Sequence, residues 1–74
     1  MLVYGIKVYL VNGDWGYVCN IGRGGFDMTR DEGSILCFQT LDEARDFYYR
    51  HIRNATVNGV AVDRNRTACV NVRY

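Results

Sequence analysis

Seventy-four residues carry 49% hydrophobic and 23% charged side chains, no proline and a formal net charge of +1. That length leaves room for one domain, residues 1–74, and the composition excludes a disordered, collagen-like or low-complexity chain. Near-neutrality argues against strong non-specific binding to nucleic acid, and no apolar run reaches the roughly 18–20 residues that span a bilayer. The start, Met1 to Lys7, has no basic stretch ahead of an apolar block. No secretion signal is therefore read there, and a cytoplasmic protein that does not enter membranes is expected.

Leu2, Tyr4, Ile6, Val8 and Leu10 alternate with Val3, Gly5, Lys7, Tyr9 and Val11, which is the period of a half-buried strand. Asn12-Gly13 follows, a strong hairpin signal. A two-residue loop there pairs Leu10 with Trp15, Val8 with Tyr17, Ile6 with Cys19 and Tyr4 with Ile21, inward side chain against inward side chain. Val3, Lys7, Tyr9 and Val11 then face outward. Gly22-Arg23-Gly24-Gly25 breaks the second strand. Residues 26–30 and 34–39 flank the polar turn Asp31-Glu32-Gly33, so residues 2–39 are expected to form a four-stranded meander.

Thr40, Leu41, Asp42 and Glu43 spell a capping box, with two carboxylates at the positive end of a helix dipole. Leu41, Ala44, Phe47, Tyr48, His51, Ile52 and Ala55 recur at helical steps and predict an amphipathic helix over 41–54. Asn58-Gly59 ends the helical region or turns the chain. Residues 60–62 and 68–72 read as a closing hairpin around the loop 63–67, pairing Val62 with Ala68 and Val60 with Val70. Ala68, Val70, Val72 and Tyr74 then face the helix. The expected fold class is α+β: a mainly antiparallel sheet of two or three hairpins, with one amphipathic helix on one face.

Catalytic and metal chemistry find little support. Cys19, Cys37 and Cys69 are an odd number without CxxC spacing, which suits neither a disulfide scaffold nor a zinc module. Each lies in an apolar run where a thiol packs as a small hydrophobe. His51 and Ser34 are the sole residues of their types, one on the helix and one at a turn, so no Ser–His or Cys–His pair is implied. Asp27, Asp31 and Glu32 gather at one turn, where carboxylates are solvated. The glycine-rich run 22–25 could form an anion nest around Arg23, but it joins two strands, whereas phosphate loops lead into a helix. Asn54-Ala55-Thr56 and Asn65-Arg66-Thr67 match the glycosylation pattern by chance. No cofactor, metal or catalytic residue is expected.

Binding is the better reading. Six tyrosines and eight arginines among nine basic residues are the residue types that dominate interface hot spots. Residues 1–44 carry a net −3 and residues 45–74 a net +4. The candidate contact residues are Tyr9, Arg23, Arg45, Tyr49, Arg50, Arg53, Arg64 and Arg66. The expectation is a small intracellular protein-binding module that occupies or bridges a macromolecular partner. The size would suit a virus- or phage-encoded inhibitor of a host defence complex, although no motif points to one. The alternative is a nucleic-acid binder working through the arginine-rich second half. The sequence leaves the oligomeric state open.

Overall fold

Asn-Gly occurs twice, and the two copies make different turns. At the first, Gly13 has φ +94°, and its N–H donates to the Leu10 carbonyl at 3.0 Å, while the Leu10 N–H donates to Asp14 O at 2.8 Å. The loop therefore has three residues, 11–13, with glycine in the left-handed position. At the second, Asn58 (φ 51°) and Gly59 (φ 81°) are both left-handed and Val57 pairs with Val60. That is a two-residue turn. The computed structural model in which these turns appear describes residues 2–22 and 25–73.

The elements run β1 (Leu2–Tyr9), β2 (Trp15–Gly22), β3 (Gly25–Thr29), a 3₁₀ turn (Glu32–Ser34), helix α1 (Leu41–Phe47) continuing as a π-helical turn (Tyr48–Ile52), β4 (Thr56–Val57), β5 (Val60–Ala61) and β6 (Ala68–Arg73). The fold is α+β, a six-stranded and mostly antiparallel sheet in the order β5-β4-β3-β2-β1-β6. Among the described residues only the β3–β4 pairing is parallel, at Gly25 and Thr56.

The three-residue loop shifts the first hairpin by one residue from the expected register. Tyr17 pairs with Lys7, Gly16 with Val8 and Trp15 with Tyr9. Val18, wholly buried, thus joins Ile6, Val8 and Leu10 beneath the helix, and Trp15 and Tyr17 turn to the opposite face. A bulge between Val18 and Asn20 leaves Cys19 out of the ladder. The extra residue reverses parity, so Ile21, paired with Phe26, returns to the helix side.

The expected meander is not formed. Residues 25–29 pair with β2, but 35–38 enter a gap where β1 and β2 splay apart. Leu36 N–H donates to Val18 O at 2.9 Å, and Tyr4 and Phe38 exchange both backbone bonds at 2.8 and 2.7 Å. This position on the sheet explains why the segment is apolar on both parities. Leu36 and Phe38 pack against the main core, while Ile35 and Cys37 belong to a second cluster with Val3 and Val72 on the other face. Gly5 makes room for it: a Cβ there would stand 3.0 Å from both Ile35 Cγ2 and Val72 Cγ2.

Helix α1 starts as its capping box implies, Thr40 Oγ1 accepting from the Glu43 N–H at 3.2 Å. Ala44 and Ile52 are both fully buried, yet a regular α-helix would rotate side chains eight residues apart by about 80°. The π turn, closed by Arg53 N–H donating to Tyr48 O at 2.9 Å, takes up that rotation. The helical region ends at Ile52 rather than at residue 54, and His51, expected on the apolar stripe, is exposed with its ring 4.8 Å from Phe47.

The expected closing hairpin is also replaced. β5 pairs with β4, β6 pairs with β1 through Gly5–Val70 and Lys7–Ala68, and Val62 bridges to Leu10. The sheet thus curls round its core until the residue after β5 meets the second-last strand of the sheet. Cys69 packs into the main core, while Val70 and Val72 lie in the second cluster on the opposite face, the reverse of the expectation. Tyr74 lies outside the described residues.

Candidate functional site

The chain from 61 to 73 follows one edge of β1 but is interrupted by a looped-out turn. Asp63 N–H donates to Tyr9 O at 2.7 Å, and Tyr9 N–H finds Thr67 Oγ1 at 3.1 Å in place of a strand carbonyl. Between them Thr67 N–H donates to Asp63 O at 3.1 Å, and Asn65 N–H to the Asp63 carboxylate at 3.1 Å. These bonds tie both ends of the turn to β1 and leave Arg64, Asn65 and Arg66 exposed. Its two arginines serve different surfaces.

Arg64 lines an open groove of about 1190 Å³ between the helix and residues 62–69. Arg45 and Arg53 come to the same groove from the helix, with Tyr48 and Tyr49 between them and Val62, Ala68 and Cys69 along the opposite wall. The tyrosine rings meet edge to face at 5.4 Å, and the Arg53 guanidinium lies over the Tyr49 ring at 5.5 Å. Among the described residues, Asp63 is the one carboxylate that lines the groove. Burial pushes the Tyr48 hydroxyl above its ordinary value, opposed by Arg53 and Arg64. Burial likewise raises the Cys69 thiol, opposed by Arg45. Both groups are thus neutral at pH 7, and the described residues give the groove three positive charges against one negative.

Arg66 turns the other way, its guanidinium 4.4 Å from the centre of the Tyr9 ring. Tyr9 belongs to a second surface, the half of the open sheet face that Ile35 does not cover. Lys7 Nζ lies 5.4 Å from the Tyr9 ring and 4.7 Å from Trp15. Arg30 lies 4.5 Å over Trp15. Its Nε donates to Trp15 O and its Nη2 to Asp14, each at 3.3 Å. Tyr17 meets Trp15 edge-on at 6.1 Å.

The sequence-predicted contact residues therefore separate. Arg45, Tyr49, Arg53 and Arg64 come together at the groove, and Tyr9 and Arg66 meet on the sheet face. Arg50 stands apart in an exposed i,i+4 pair with Asp46 at 3.1 Å, and Arg23 lies outside the described residues. Trp15, Tyr17 and Arg30 were missed because the two-residue loop turned the first two inward. The signal for the alternative was Gly13, which suits a left-handed residue in a three-residue loop as well as it suits a shorter turn.

Ser34 Oγ donates to Asp31 at 2.9 Å within its own turn. Among the described residues, no three His, Cys, Asp or Glu side chains gather as a metal-ligand set, and no helix is long and apolar enough to cross a membrane. No protein-family model matches the chain, and no curated protein or solved structure matches it.

Proposed function

We propose that the protein is a binding module, not an enzyme, and that its working surface is the helix–loop groove, which holds an acidic segment of a protein partner. The observation that carries this reading is the convergence of Arg45, Arg53 and Arg64 around the Tyr48–Tyr49 pair, above an apolar wall. Arginine forks grip carboxylates bidentately, and tyrosine gives contact area at small entropic cost. A standard interface takes roughly 800 Å² from each partner, about one sixth of the 4890 Å² this chain exposes. A domain this small that covers such an area on a larger protein acts most simply by occluding it, which is the sense in which an inhibitory role, including one against a host defence complex, is proposed. The three free cysteines suit a reducing, cytoplasmic setting.

The test is a pull-down from cell extract with tagged protein, with and without nuclease. A near-stoichiometric protein prey that survives nuclease and is lost with Arg53→Glu or Tyr49→Ala is expected. A prey that ignores both substitutions, or recovery of nucleic acid alone, would refute the groove reading.

A further inference from the structure

We propose that the open half of the sheet face is a second binding site, a stacking platform for short single-stranded nucleic acid. It goes beyond the groove reading and stands on different residues. Tyr9 and Trp15 offer two tilted rings 6.5 Å apart at 34°, and Tyr17, packed at the margin of the second cluster, meets Trp15 edge-on at 6.1 Å. Lys7, Arg30 and Arg66 surround the Tyr9 and Trp15 rings; the Asp14 carboxylate is held by Arg30, and Glu32 lies beside Tyr17 at the margin of the face. A polyanion whose units carry flat aromatic groups complements both properties at once. A duplex hides its base faces and an acidic peptide has none, so the platform favours an unpaired strand.

The cations lie over the ring faces where bases would stack. This does not close the site. Guanidinium planes stack on bases as well as on protein rings, so an entering base can exchange a ring–cation contact for a ring–base–cation sandwich. Base stacking on an aromatic side chain is worth more than an exposed cation–ring contact. Near-neutral overall charge limits long-range attraction but leaves this local one intact, so a moderate, short-footprint affinity is expected.

Trp15 is the one tryptophan in the chain and lies in the middle of the platform, so its fluorescence reports occupancy without a label. A short oligothymidylate should quench it. The logarithm of the association constant should fall against the logarithm of salt with a slope of about −2, from three cations at roughly −0.7 each. Arg66→Glu, in an exposed turn, and Tyr17→Ala should each weaken binding by roughly tenfold, with the helix signal in circular dichroism unchanged. Arg53→Glu, at the groove, should have no effect. Absence of quenching overturns the proposal. So does equal quenching by polyglutamate or by a duplex, since the face would then read charge alone.

Discussion

Gly5→Ala probes the packing that divides the two faces of the sheet. The new methyl would stand 3.0 Å from the Cγ2 atoms of Ile35 and Val72, which are 5% and 8% exposed and held in the second cluster. Overpacking of this kind costs about 1–3 kcal/mol. The same change removes unfolded-state freedom, a gain of about 0.4–1 kcal/mol, so a net loss of about 1–2 kcal/mol is expected. The chain as a whole should hold only about 4–11 kcal/mol, and urea slopes for small domains begin near 1 kcal/mol/M. The midpoint in urea should therefore fall by about 1–2 M at constant slope. On an Ile35→Ala background one of the two close contacts is gone, and Gly5→Ala should cost less by about 0.5–1 kcal/mol. A rise in midpoint on Gly5→Ala, or strict additivity of the pair, would refute the packing of residues 35–38 against the sheet.

Thr40→Ala removes the acceptor for the Glu43 N–H and should cost about 1 kcal/mol in the same assay; no loss would show that the cap is idle. Gly25→Ala would place a Cβ 2.5 Å from the Thr56 carbonyl oxygen, a backbone atom that can move only if β4 leaves β3, so amide exchange at 56–61 should accelerate; unchanged protection there would contradict the parallel bridge. Cys69 and Tyr48 hold their protons above the ordinary 9.0 and 10.0, so their contribution is fully present below about pH 9 and is lost as pH rises through the raised values. The urea midpoint should decline from pH 9 upward, and Cys69→Ala should flatten the first part of that decline; a midpoint that climbs with pH would contradict the burial of both groups.

The helix was legible because its information is local: the Thr40 cap, two acidic residues in the first turn and an apolar stripe. The alternation of β1 was legible for the same reason at Ile6, Val8 and Leu10, but Leu2, expected inward, is exposed, and Val3, expected on the outer side, is buried in the second cluster with Ile35 and Val72. What failed was pairing. Asn12-Gly13 and Asn58-Gly59 are the same dipeptide, yet one makes a three-residue loop and the other a two-residue turn, and a difference of one residue decides which face Trp15 occupies. The return of β6 to β1 and the entry of 35–38 between β1 and β2 are long-range pairings that no periodicity encodes. Residue type alone suggested arginine and tyrosine as contact residues. Only the curl of the sheet brings Arg64 to Arg53, and only the looped-out turn sends Arg66 the opposite way.

Charge reversal at the two arginines of the looped-out turn separates the two surfaces. Arg64→Glu and Arg66→Glu alter neighbouring exposed positions that should perturb folding little, so each variant would be assayed for protein capture after nuclease and for quenching of Trp15 by oligothymidylate. Two separate surfaces predict a crossed result: Arg64→Glu loses the protein prey and keeps the quenching, and Arg66→Glu keeps the prey and loses the quenching. If both variants fail in the same assay and pass in the other, or if neither has any effect, the turn does not serve two surfaces.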